Sequence, residues 1–258
     1  VQLIDTHSHI YTKEFDNDRT EVIHRSREAG VSRIILPNID VNSIAPLMDL
    51  ANRYKGCCVP LMGLHPTSVK DDFRDQLAII EEHLRKDRFW GVGEIGIDLY
   101  WDKTFINQQK DAFRYQVKLA KEMKLPIVIH TRNAFDEIFE VLDDENDDSL
   151  SGIFHSFSGN IDHYNHIVGY GGFFIGIGGV ITYKNGGLDT LVREMNIEHI
   201  VLETDSPYLP PVPHRGKRNE SSYIIHVAQK MAEVFNLPIH RVAAITTSNA
   251  LTLFKLNE

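Results

Sequence analysis

The chain of 258 residues carries 27 Lys and Arg against 36 Asp and Glu, a formal net charge of −9, with 13 His and only 2 Cys. At 42% hydrophobic and 24% charged residues it is composed like a globular enzyme able to bury about three quarters of its unfolded surface, which excludes disordered and fibrous classes. Apolar runs such as 127–129 fall far short of the ~18 residues that span a bilayer, and no basic stretch followed by an apolar one opens the chain, so a cytoplasmic protein is expected.

A short β-branched run, a polar stretch and a segment with helical apolar spacing recur as a unit along the chain. The first strand is predicted over 2–5, before a helix read from Val22, Ile23 and Ala29 and closed by Gly30. The second, 33–36, precedes a helix read from Leu47, Met48, Ala51 and Tyr54 and closed by Gly56. The third, 57–62, opens on Cys57 and Cys58, whose adjacency disfavours an ordinary disulfide and which cannot form a zinc cage alone. The fourth, 91–95, leads to a helix read from Phe113, Val117 and Ala120, and the fifth, 127–130, to one read from Ile138, Phe139 and Leu142. The sixth and seventh cover 152–155 and 172–176, followed by a helix read from Leu188, Leu191, Val192 and Met195. After the eighth, 200–203, come a Pro-rich loop and two further helices, read from Tyr223, Val227, Met231 and Val234 and from Val242, Ile245, Ala250 and Leu253. Eight βα units in about 250 residues predict an α/β fold, a closed (β/α)8 TIM barrel with an extra C-terminal helix, forming one domain over 1–258. An open doubly wound sheet is the competing architecture.

Barrel enzymes place their chemistry at the carboxyl ends of the strands. Here those ends carry His7 and His9, His65, Glu94, His130, His155, and Glu203 with Asp205. In an extended segment His7 and His9 point to one side, so both imidazoles can reach one ion. One such His alone is more often a hydrogen-bonded core residue, but independent structural uses would not keep choosing the same end of different strands. Glu94 stands between glycines, where burial is costly without a cation or donor to compensate it. A donor set without thiolate suits zinc, manganese or another borderline-to-hard divalent ion. His24, His83, His163, His166, His199, His214, His226 and His240 read as structural or surface residues.

The motifs Asp5-Thr6-His7-Ser8-His9, Gly63-Leu64-His65-Pro66, Gly93-Glu94-Ile95-Gly96-Ile97-Asp98, His130-Thr131-Arg132, His155-Ser156-Phe157-Ser158-Gly159 and Glu203-Thr204-Asp205-Ser206-Pro207 together resemble the TatD-related metal-dependent deoxyribonucleases, within the amidohydrolase-like barrels. The resemblance runs from Asp5 to Thr247-Ser248-Asn249-Ala250. It implies two divalent ions per chain (zinc, magnesium or manganese), one held by His7, His9, Glu94 and Asp205 and the other by Glu94, His130 and His155, with Glu94 bridging. Such a pair supplies an activated water and a clamp on the phosphoryl oxygen, and Asp205 is placed to accept the proton. The activity implied is exonuclease-like hydrolysis of DNA phosphodiesters, with a strand end or short oligonucleotide as partner and no membrane or obligate protein partner. Many barrel relatives acting on lactones, amides or organophosphates bridge their metals with a carboxylated Lys at the fourth or fifth strand, and no Lys stands at either end here. Hydrolysis of a small-molecule ester, lactone or amide is therefore the alternative.

His65 is expected to contact substrate, and Arg132 to clamp a phosphate with its planar fork, against a structural salt bridge as the other reading of Arg132. In the loop after strand eight, Arg215-Gly216-Lys217-Arg218-Asn219-Glu220 is followed by Ser221 where relatives commonly have Pro; the basic cluster of Arg215, Lys217 and Arg218 is expected to bind phosphate, Arg215 and Lys217 foremost, or to lie in a solvated loop. Asp98 and Glu203 receive no fixed role. The acidic run 143–148 is expected as a solvated loop on the face opposite the site, and removing its five charges from −9 leaves −4 for the rest. At a Debye length of ~8 Å those charges barely reach a phosphate on the other face. No long basic stripe and no stacked aromatic platform is evident, so the footprint on nucleic acid is expected to be small.

Overall fold

In the computed structural model, which describes residues 1–256, the strands are β1 (Leu3–Asp5), β2 (Val31–Leu36), β3 (Cys58–Pro60), β4 (Val92–Asp98), β5 (Ile127–Arg132), β6 (Gly152–Phe154), β7 (Phe173–Ile177) and β8 (Ile200–Leu202). They alternate with α1 (Arg19–Glu28), α2 (Ile44–Arg53), α3 (Phe73–Lys86), α4 (Ile106–Met123), α5 (Phe135–Glu145), α6 (Ile161–Gly169), α7 (Leu188–Val192) and α8 (Ile224–Phe235), and α9 (Ile239–Phe254) follows. All ladder pairings are parallel, β1 to β3 forming one sheet and β4 to β8 another.

Two seams join these sheets into a (β/α)8 barrel. At one, Met62 bridges Val92, with Met62 N–H on Gly91 O and Gly93 N–H on Met62 O at 3.2 and 3.1 Å. Glycine permits this approach, because a Cβ on Gly63 would lie 2.9 Å from the Gly93 carbonyl carbon. At the other, the first stave meets the last: Thr6 N–H donates to Leu202 O, Asp205 N–H to His7 O and His9 N–H to Ser206 O, at 3.0, 2.9 and 2.7 Å. An open sheet would leave β1 and β8 unpaired, so these bonds exclude the competing architecture.

Alternation of side chains sorts each stave into an outer and an inner row. Ile34, Leu36, Ile127, Ile129, Phe154 and Leu202 pack outward in the core shared with the helices. Ile4, Ile35, Val59, Leu61, Val128, Ile153 and Val201 form a separate interior cluster, closed from below by Ala250, Leu253 and Phe254 of α9. The extra C-terminal helix thus plugs the floor of the barrel. Asn249 anchors it, its Nδ2 donating to Ile200 O at 2.8 Å.

Helices α3 and α6 are additional to those predicted. In α3 the buried Phe73, Leu77, Ile80 and Leu84 keep helical spacing. Short α6 begins with a capping box in which His163 occupies the position usually held by Glu or Gln, so the usual start signal is absent. The acidic run departs from expectation too. Residues 143–145 are the last turn of α5, and Arg114 pairs with Glu145 and Asp144, Lys121 with Asp147 and His166 with Asp143 at 2.7–3.0 Å. Carboxylates at a helix C-terminus oppose its dipole, and the neighbouring cations offset this. Cys57 and Cys58 are both buried and free. Among the described residues no helix is long and apolar enough to cross a membrane.

Candidate metal centre

Counting two residues up from the interior apolar layer places the donors. Val128 leads to His130, Ile153 to His155 and Val201 to Glu203, so the inner row turns from aliphatic to imidazole and carboxylate at the carboxyl end. Glu94 on β4 is 2% exposed and sits at the centre of the cluster. Its two oxygens face different partners. Oε2 lies 3.1 Å from His7 Nε2 and 3.4 Å from His9 Nε2, whereas Oε1 lies 2.9 Å from His130 Nδ1 and 3.4 Å from both His155 Nε2 and His65 Nε2. Asp205 Oδ1 closes the first group, 3.9 Å from His7 Nε2 and 3.8 Å from His9 Nε2. Asp205 adopts a left-handed conformation at φ 56°, uncommon for a residue with a Cβ, at the seam between first and last staves.

For His9, His155, His130 and His65, outer hydrogen bonds fix which nitrogen carries the hydrogen and which way each ring presents itself to this centre. Tyr11 Oη donates to Pro37 O at 2.6 Å, so it can only accept from His9 Nδ1, 3.0 Å away. Neutral His9 therefore aims its Nε2 lone pair inward. His155 Nδ1 donates to Glu203 Oε1 at 3.0 Å, and His130 Nε2 donates to Asp98 Oδ2 at 2.8 Å, leaving His155 Nε2 and His130 Nδ1 toward Glu94. His65 is oriented the other way. The Thr67 backbone N–H donates to its Nδ1 at 3.2 Å, so neutral His65 carries its hydrogen on Nε2 and presents a donor to the cluster rather than a lone pair. Sequence reasoning left Asp98 and Glu203 without roles and overlooked Tyr11; hydrogen-bond geometry supplies all three.

Charge within the cluster is tightly balanced. Burial alone would raise the Glu94 carboxyl, but the charges of His65, His7 and His155 and the hydrogen bond from His130 hold it well below the usual range. Burial disfavours charge on His155, yet Glu203, Glu94 and Asp205 push its imidazole up to about 10. His7 stacks on His155 at 3.5 Å and is driven far below its ordinary value by burial and by that neighbour. Burial pushes Asp205 up to about 6 against the pull of His155 and His9.

Three donor triplets converge here, His7–His9–Glu94, His7–His155–Glu203 and His65–Glu94–His130, each with its atoms within 4.8 Å of one another. Within these triplets, His7 Nδ1 and Glu203 Oε2 are buried without a hydrogen-bond partner. Nitrogen and oxygen donors crowded on one point, with the outer nitrogens of His9, His130 and His155 already engaged, suit divalent cations better than they suit one another.

The cluster floors a cavity of about 900 Å³ whose wall includes His65, Arg132, Asp205, Trp101 and Tyr208. Arg132 makes no ion pair among the described residues; its guanidinium lies 3.8 Å from the Tyr100 ring centre and 5.3 Å from that of Trp101. Tyr100 and Trp101 follow β4 after Leu99, their rings edge to face at 4.8 Å. Arg215 and Lys217 are absent from this wall. Arg215 covers Tyr183 at 4.1 Å in an adjoining pocket of about 390 Å³, and Lys217 lines neither space. Arg218 is committed to Asp18 through bonds of 2.8 and 2.7 Å, and Asn219 Nδ2 ties Thr204 O and Tyr208 O at 2.7 Å each, so much of that loop is scaffold. Ser221 is buried, its hydroxyl 3.3 Å from that of Ser8, and opens a short 3-10 turn.

A family model described as TatD related DNase matches residues 4–255. The chain is 36% identical over 256 residues to the uncharacterized metal-dependent hydrolase YabD of Bacillus subtilis, covering 99% of this chain and 100% of that protein. It is 30% identical over 268 residues to human deoxyribonuclease TATDN3, covering 98% and 95%. The crystal structure of YjjV, a TatD homolog from Escherichia coli, matches with a TM-score of 0.91 at 28% identity, over 98% of each chain.

Proposed function

Because the chain belongs to the TatD-related DNase family of metal-dependent hydrolases, we propose that it hydrolyses DNA phosphodiesters, acting exonuclease-like on strand ends or short oligonucleotides. The observation that carries this reading is the division of Glu94, with Oε2 toward His7 and His9 and Oε1 toward His130 and His155. That division supports two cation positions, one using His7, His9, Glu94 and Asp205 and the other Glu94, His130 and His155. When bound, divalent ions supply Lewis acidity at a phosphoryl oxygen and a water of lowered pKa.

The chain's own residues account for the rest. His155, whose imidazole is held at about 10, gives up its Nε2 proton to become a ligand while Nδ1–H stays on Glu203. Asp205, which lines the cavity beside the cluster, is the carboxylate that takes the proton from the attacking water. Arg132, free of carboxylate partners, offers its N–H edges to a phosphate next to the one attacked, and His65 offers its Nε2–H at the same wall. Arg215 at the adjoining pocket is suited to a more distant phosphate.

The test is hydrolysis of end-labelled single- and double-stranded DNA, RNA and a generic phosphodiester by metal-analysed protein, before and after chelation. Chelation abolishes turnover and metal restores it; Glu94→Ala is inactive, and Asp205→Asn loses turnover while still folded. Unchanged degradation by Glu94→Ala would mean a contaminant, and normal hydrolysis by Asp205→Asn would remove its role as base. Turnover of lactones, amides or small esters with no DNA degradation would favour the small-molecule alternative.

A further inference from the structure

We propose that Trp101 and Tyr100 form a stacking ledge for the nucleobase adjacent to the cleaved phosphodiester, held in register with the donor cluster by Asp98. The inference rests on the phosphodiesterase reading above. Large aromatics are normally buried, yet Trp101, which lines the cavity, is 70% exposed, and the neighbouring Tyr100 53%. Their rings meet edge to face at 4.8 Å and 89°, a contact that takes up at most one face of one ring. Arg132 lies over Tyr100 at 3.8 Å and, farther off, over Trp101 at 5.3 Å. With 70% of its surface exposed, the Trp101 indole keeps a face for a flat ligand, beside a guanidinium whose N–H edges suit a phosphate. An aromatic face flanked by an arginine is the arrangement that binds a base together with its phosphate.

The ledge is not a loose loop. Asp98, 2% exposed, accepts from the Tyr100 and Trp101 backbone N–H groups on Oδ1 at 3.0 and 3.3 Å, while its Oδ2 accepts from His130 at 2.8 Å. One carboxylate thus fixes the turn carrying the aromatics and the imidazole facing Glu94. A base on Trp101 is thereby held at a set position relative to the cluster, and the enzyme should distinguish a nucleotide ester from an otherwise similar diester lacking a base.

Two chromogenic esters with the same leaving group read this directly, the p-nitrophenyl ester of thymidine 5′-phosphate and methyl p-nitrophenyl phosphate. Trp101→Ala lowers kcat/KM for the thymidine ester by about 5- to 150-fold, the range of base–aromatic stacking, and leaves the methyl ester unchanged. Trp101→Phe, which keeps an aromatic face, restores most of the loss. Equal loss on both esters, or none on either, overturns the proposal while leaving phosphodiesterase activity intact. A second measurement is independent of turnover: short oligothymidylate added to chelator-treated protein quenches tryptophan fluorescence in the wild type but not in Trp101→Phe, where Trp90 is the remaining indole. If neither ester is hydrolysed the phosphodiesterase reading fails by itself, and absence of quenching in the wild type then overturns the ledge.

Discussion

Replacing Tyr11 with Phe tests the argument that hydrogen bonds outside the cluster decide which nitrogen of His9 faces inward. The side chain is 2% exposed and Phe has nearly the same volume, so the change creates no cavity. It removes the donor to Pro37 O at 2.6 Å and the acceptor for His9 Nδ1 at 3.0 Å, stranding a buried carbonyl and a buried N–H. At about 1–3 kcal/mol for each of the two stranded groups, the metal-free protein should lose roughly 2–6 kcal/mol. For a chain of this size that lowers Tm by about 4–24 °C. Metal affinity should fall further, by about 10- to 100-fold, because the neutral ring no longer prefers the tautomer with its Nε2 lone pair inward. Melting of chelator-treated protein and calorimetric titration with manganese separate the two effects. A lowered Tm with wild-type manganese affinity would refute the tautomer argument, and an unchanged Tm would refute the bonds themselves.

Gly176→Ala tests Glu203 without touching it. The new Cβ would lie 2.3 Å from Glu203 Oε2, forcing the carboxylate off His155 Nδ1 and Ser156 N–H, and metal affinity should drop by about 10- to 100-fold with no further loss on adding Glu203→Gln. Wild-type affinity in calorimetric titration of Gly176→Ala would show that Glu203 does not orient His155. Away from the site, Glu220 grips Arg25 through bonds of 2.9 and 2.6 Å; burial works against its charge, but Arg25 and Ser222 hold its carboxyl below the ordinary 4.5. A depressed carboxylate contributes stability that is complete above pH 4.5 and lost as pH falls through the folded value. The Tm gap between wild type and Glu220→Gln, followed from pH 7 to pH 3, should therefore close on acidification; a gap that is constant or widens contradicts the assignment.

The barrel and the gathering of His and carboxylate side chains at one end of it were legible because both leave a local mark. Short aliphatic runs announce staves buried on both faces, and a His or Glu two places beyond an inward aliphatic, as in Val128 to His130, announces a donor. What stayed hidden depends on partners distant in sequence. Asp98 could not be tied to His130, or Glu203 to His155, without knowing which staves are neighbours. Arg218 read as one of three basic loop residues until the fold brought Asp18 beneath it. Helix α6 escaped because its cap uses His163 in a chemical role that propensity rules assign to Glu.

The seam between the first and last staves has a consequence for how the protein is made. Asp5 holds Thr204 through bonds to its backbone N–H and hydroxyl, 199 residues away, and Asp205 meets His7 and His9 only when β8 lies beside β1. A nascent chain that has emerged as far as β7 displays most of its imidazoles but has no first stave paired on both sides and no Asp205 to complete the set. The position that would use His7, His9, Glu94 and Asp205 is thus completed only when β8 pairs with β1, whereas Glu94, His130 and His155 all precede β7 in the chain. Because α9 plugs the floor of the barrel, the cavity over the cluster lies at the opposite end, where the carboxyl ends of the strands converge.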